Sequence, residues 1–148
     1  MSRVIIRLLG LALLVVACQR APEKPQLTFS EVWSRPVQVN DPAEGANGVV
    51  YLNITNRGGA DRLLRAHANV CEVTEIHQTL MHGDRMSMQP VSAEGLEVPA
   101  QGQLQLAPGA NHIMLMQLKH SLRLGDSIEV HLDFSESGMQ TVYSRVRE

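Results

Sequence analysis

Residues 128–134 read Ile-Glu-Val-His-Leu-Asp-Phe, an alternation of apolar and polar side chains that suits an extended strand with one buried face. A second run does the same: Val50, Leu52 and Ile54 alternate with Tyr51, Asn53 and Thr55 and stop at the turn signal Asn56-Arg57-Gly58-Gly59. A strand with one apolar face needs a second layer to cover it. No helical period of useful length competes with this pattern, so the chain is expected to be all-β. Further strands are predicted near Leu27–Trp33, Arg62–Ala68, Cys71–Leu80, Arg85–Val91, Gln103–Leu106, His112–Leu118 and Gln140–Val146. Between them lie Asp41-Pro42, His82-Gly83-Asp84, Ala107-Pro108-Gly109-Ala110-Asn111 and Gly125-Asp126, all turn or loop chemistry. Eight or nine short strands at this spacing, in 148 residues, predict one Greek-key β-sandwich with a single core.

The N-terminus has a different composition. Arg3 and Arg7 precede the apolar run Leu8–Ala17, which is too short to span a bilayer as a helix at about 1.5 Å per residue. Residues 1–17 are therefore expected to be an export signal. The run ends Val15-Val16-Ala17-Cys18, which resembles the lipobox of bacterial lipoproteins, so Cys18 is the expected lipidated first residue of the mature protein. A polar, proline-bearing tether at 18–26 then leads to a domain over 27–148. This places the domain outside the cytoplasm, on the periplasmic side, held to a membrane by lipid. Residue 19 is Gln rather than Asp, which favours the outer membrane in a two-membrane bacterium.

Loss of residues 1–17 removes two of the 13 basic residues and none of the 15 acidic ones, leaving no basic stripe for nucleic acid. With Cys18 consumed, Cys71 is the other cysteine of the chain, so no intramolecular disulfide can form. Cys71 is expected as a small buried strand residue.

Aromatic residues make up only 3% of the chain while methionines number seven. Five of the seven, Met81, Met86, Met88, Met114 and Met116, fall between His77 and Met116 together with His77, His82 and His112. Thioether sulfur is a soft donor that suits Cu(I), and imidazole serves copper in either oxidation state. In a strand, residues two apart share a face, so His112, Met114 and Met116 project together while Ile113 and Leu115 point the other way. The same rule pairs Met86 with Met88. A lone His-x-Met carries little weight, and Met81, Met116 and Met139 are each expected as gap-filling core side chains. His67, His120 and His131 are expected as ordinary surface or satisfied histidines.

The segment resembles the periplasmic copper chaperones of the PCuAC family, whose pattern is His, ten residues, Met, a gap of about twenty-one, then His-x-Met. Ten residues separate His77 from Met88, and His112-Ile113-Met114 closes the pattern. The gap from Met88 to His112 holds 23 residues, the excess being assigned to a loop around Ser92-Ala93-Glu94-Gly95. Blocks such as Trp33-Ser34-Arg35-Pro36, Asp61-Arg62-Leu63-Leu64, Met86-Ser87-Met88-Gln89-Pro90-Val91 and Leu124-Gly125-Asp126 extend the likeness over about residues 28–146. The resemblance implies a cupredoxin-like sandwich with a copper site of His77, Met88, His112 and Met114, Met86 being the substitute or auxiliary thioether. It also implies Cu(I) as the preferred ion, with Cu(II) possible, and delivery towards cytochrome c oxidase assembly through copper-donating or copper-accepting proteins. The lipobox is a departure from the family's commoner soluble signal peptide.

Two other readings compete. A blue-copper electron carrier needs two histidines and a cysteine thiolate, for which Cys71, His77 and Met81 are the candidates, but no histidine precedes His67. A structural or adhesive lipoprotein on the same sandwich leaves the joint placement of the four candidate ligands unexplained. No nucleophile, paired carboxylates or phosphate loop stands out, so no enzyme is expected.

Overall fold

The computed structural model describes residues 23–148; the expected signal peptide, Cys18 and the first part of the tether lie outside the described residues. The strands are β1 (Leu27–Ser34), β2 (Gly48–Asn56), β3 (Asp61–Ala68), β4 (Cys71–His82), β5 (Arg85–Pro90), β6 (Leu96–Val98), β7 (Gln103–Leu106), β8 (His112–Leu118), β9 (Ser127–Phe134) and β10 (Gly138–Val146). They form an all-β sandwich. Hydrogen bonding follows the order β5-β4-β8-β2-β1-β10-β9-β3-β6, with β7 also on β2.

Every pairing among these strands is antiparallel except that of β1 with β10, which is parallel at Trp33↔Arg145 and Ser34↔Val146. The path changes layers at this point. The β1–β2 register shifts between Ser30 and Trp33, where Glu31 takes a left-handed φ of 50°, and such a bulge bends a strand out of its ladder. Ser34 and Ser144, both fully buried, satisfy each other across the join at 2.6 Å. Burying two hydroxyls unpaired would cost about 1–3 kcal/mol each, so this bond fixes the strand pair as well as stabilising it.

The alternating runs become the two inner faces. Val50, Leu52 and Ile54 of β2 and Ile113 and Leu115 of β8 join Leu63 of β3 and Ile128, Val130, Leu132 and Phe134 of β9 in one core cluster. Burial of each such side chain contributes roughly 1.5–3 kcal/mol. Cys71 belongs to the same cluster, its Sγ against the Ala68 carbonyl and the Thr74 hydroxyl.

Two features depart from the sequence pattern. Met81 and Met139, expected in the core, are instead 62% and 69% exposed, on outward-facing strand positions that binary pattern alone does not assign. The short strand β6 has no counterpart among the expected strands, because its three residues between Gly95 and Pro99 are too few to display a period.

The β4–β5 hairpin positions the candidate site. β4 pairs with β8 only as far as His77, whereas its pairing with β5 runs from His77 to His82. Its distal part is thus a two-stranded ribbon, closed by Gly83 at φ 62°. Thr79 anchors it, donating its hydroxyl to the Ala110 carbonyl at 2.9 Å and its N–H to the Asn111 side-chain oxygen at 3.2 Å.

Candidate metal centre

The register of three neighbouring strands brings the candidate ligands onto one face. On β8, Ile113 and Leu115 turn into the core with no exposure, so His112, Met114 and Met116 lie on the opposite face. His77 of β4 is directly opposite His112, and Glu75 is opposite Met114. The two imidazole rings stand edge to face with centroids 5.6 Å apart. Residues 35 apart in the chain are thereby adjacent in space.

Each ring has one nitrogen committed, and the committed nitrogen fixes the tautomer. The Nδ1–H of His112 donates to the Ala110 carbonyl at 2.9 Å, because a carbonyl can only accept, and this leaves Nε2 with its lone pair. The Nε2–H of His77 donates to Glu75 Oε2 at 2.9 Å, leaving Nδ1 with its lone pair. Both anchors are two residues earlier in the chain than the histidine they hold. Glu75 sits on His77's own face of β4; a Glu at i−2 from a strand histidine is the sequence signal for such a partner.

The two thioethers differ in setting. Met114 is half-buried on β8, next along from His112 on the same face. Met88 is on β5, opposite Thr79, one strand farther out and 59% exposed. It is separated from β8 by two strand spacings, about 10 Å. Met86 pairs with Met81 farther towards the hairpin tip, so Met88 is the nearer of the two to His77. Met116, expected in the core, is instead half-buried on this outer face, opposite the exposed Val73 and at its far end from the hairpin, because it keeps the parity of His112 and Met114 along β8.

Among the described residues, no group of three or more His, Cys, Asp or Glu is placed to hold a metal ion. Besides the two imidazoles, the soft donor that this face offers a metal is sulfur. Cys71 cannot be that sulfur: it lies on the same extended strand as His77, six residues away, or about 20 Å at roughly 3.4 Å per residue. The arrangement required for a Cys-His blue-copper site on these residues is therefore not formed.

Comparison with known proteins agrees with the fold. The copper-bound PCuAC domain from PmoF2 superposes with a TM-score of 0.63 at 18% identity, covering 82% of this chain and 92% of that one. The solution structure of Cu(I)-DR1885 from Deinococcus radiodurans gives 0.55 at 20% identity, covering 89% and 83%. The fold is thus the cupredoxin-like sandwich of PCuAC domains. A family model described as "Putative lipoprotein LpqE-like" matches residues 27–146, and the chain belongs to that family. A relative, "Putative lipoprotein Lxx21020" of Leifsonia xyli subsp. xyli, is 27% identical over 150 residues, covering 99% of this chain and 86% of its own.

Proposed function

We propose that this domain is a copper carrier that takes Cu(I) between His77, His112, Met114 and Met88. The observation that carries the reading is the register His77↔His112 and Glu75↔Met114, which sets two imidazoles and a thioether on one face of two adjacent strands. Met88 closes the set from the edge strand, and its position nearer His77 than Met86 favours it as the fourth ligand. Two imidazoles and two thioethers match the softness of a monocation, and none of the four carries a charge of its own; the Glu75 carboxylate stands one hydrogen bond away, on His77. A solvent-exposed thioether on a two-stranded ribbon is also the ligand most easily exchanged. Transfer to a partner bearing thiolates, the stronger soft donors, is then downhill and can proceed one ligand at a time.

Copper titration of the mature chain tests this reading. One equivalent of Cu(I) is expected to bind without colour; an intense blue Cu(II) form would assign an electron carrier, and no binding would leave a structural lipoprotein. The copper-bound state of the PmoF2 domain and the Cu(I) state of DR1885 support the choice of ion. For the recipient, we favour proteins of cytochrome c oxidase assembly, as the family resemblance implies.

The same proposal places the carrier outside the cytoplasm on a lipid anchor at Cys18, a reading supported by the lipobox-like Val15-Val16-Ala17-Cys18 and by the family's description. Cys18→Ser is expected to block processing or release the protein from membranes. Mass spectrometry of the mature wild-type N-terminus checks it, and an unmodified Cys18 would remove the anchor. Each buried methylene contributes only about 0.8 kcal/mol, so the several acyl chains of a lipoprotein are needed for stable attachment.

A further inference from the structure

The other layer of the sandwich carries a second histidine pair. His67 of β3 is directly opposite His131 of β9, and their rings lie nearly parallel, 10° apart, with centroids at 6.4 Å. Both side chains are on the outward face, since Ala68 and the alternating Val130 and Leu132 turn into the core. Together with Arg65, Ala66, Asp133 and Met139 they line an open cavity of about 350 Å³.

The hydrogen bonds around the pair leave Nδ1 of His67 free and Nδ1 of His131 held only by a hydroxyl. His67 donates its Nε2–H to the Asn69 side-chain oxygen at 3.0 Å, which leaves Nδ1 with a lone pair. His131 donates its Nε2–H to Glu129 at 3.1 Å, and its Nδ1 accepts from the Thr141 hydroxyl at 3.0 Å. An oxygen on one nitrogen, with a lone pair on the other, is the arrangement that orients a metal-bound imidazole. Asp133, in the same cavity, uses Oδ2 for both of its bonds to Arg65, at 2.8 and 3.3 Å. That pairing offsets the guanidinium that lines the cavity.

We propose that His67 and His131 form a second metal site, taking a divalent first-row ion such as Zn(II) through their Nδ1 atoms, with water completing the shell. Cross-strand neighbours have Cβ atoms only about 4.5–5.5 Å apart, and the near-parallel rings must tilt towards each other to converge their Nδ1 atoms on one ion. The Thr141 hydroxyl gives up its bond to His131 when the ion enters. Imidazole and water oxygen suit a harder ion than the two-thioether set on the β5–β4–β8 face. The site shares no residue with that face and stands or falls independently of the copper proposal.

Zinc titration of the mature chain, followed through the ring resonances of all six histidines by NMR, decides it. The resonances of His67 and His131 are expected to move together along one binding curve. His67→Asn and His131→Gln are each expected to weaken that curve by at least about tenfold, leaving any response of His77 and His112 unchanged. Both substitutions are at solvent-facing positions, and the dispersion of the remaining resonances verifies the fold. Absence of a zinc-dependent shift at His67 and His131, or a curve unaltered by either substitution, would overturn the site.

Discussion

His112→Ala is expected to weaken Cu(I) binding by at least about 100-fold, or about 2.8 kcal/mol at about 1.4 kcal/mol per tenfold. His112 is 7% exposed, and its free Nε2 is aimed by the bond from Nδ1–H to the Ala110 carbonyl, so the ligand is set before the metal arrives. Alanine removes both the donor and its orientation. Met114→Leu keeps the apolar bulk and removes one thioether, and a smaller loss of about tenfold is expected because a soft neutral donor contributes less than an oriented imidazole. His120→Ala changes an exposed histidine bonded to the neighbouring Ser121 carbonyl, and it should leave the affinity within about twofold. Competition against a Cu(I) chelator measures all three, with circular dichroism confirming that each variant is folded. Equal affinities would take His112 and Met114 out of the site.

Asp61→Ala is expected to destabilise the domain by about 3 kcal/mol, a large share of the roughly 5–15 kcal/mol typical of a domain. Asp61 is 2% exposed at the start of β3. Its Oδ1 accepts from the N–H groups of Arg62 and Glu136 and the Ser135 hydroxyl, and its Oδ2 from the N–H and hydroxyl of Ser137, all between 2.6 and 3.0 Å. The carboxylate therefore closes the β9–β10 turn against β3. Alanine would strand three backbone donors. An asparagine side chain in its place would turn an NH₂ towards donors on one side, so Asp61→Asn should recover only part of the loss. Chemical denaturation of the mature chain at neutral pH checks the magnitude, and a loss below about 1 kcal/mol would show that water replaces the carboxylate.

The same residue sets a pH dependence. Burial by itself would raise the Asp61 pKa, but the hydrogen bonds from Ser137, Glu136, Arg62 and Ser135 outweigh it and hold the group below the ordinary carboxylate value. A group lowered on folding contributes its full stability above its unfolded pKa of about 3.9, and loses it as pH falls through the folded value. Wild-type stability should thus drop below about pH 4, and Asp61→Asn should flatten that part of the profile. An unchanged profile in the variant would assign the acid sensitivity to other groups.

Local periodicity is enough to read most of the strands, because a half-buried strand writes its burial into every second residue. Val50-Leu52-Ile54 and Ile128-Val130-Leu132-Phe134 are inner faces as their alternation demands, and Ile113 and Leu115 are turned away from His112 and Met114 as the same rule requires. The His-x-Met and the ten-residue spacing from His77 to Met88 are likewise legible along the chain. Strand order and register are not, since they depend on pairings between distant segments. Only the tertiary structure sets His77 against His112 and His67 against His131, extends the β4–β5 hairpin beyond β8, and leaves Met81 and Met139 in solvent rather than in the core. The short-range partners of the candidate ligands follow the same division: Glu75 is two residues from His77 in the chain, but its value as an anchor depends on β8 lying alongside. Asp61 has a carboxylate that any reader of the sequence can see, while the five groups that hold it come from its own strand and from a turn more than seventy residues later.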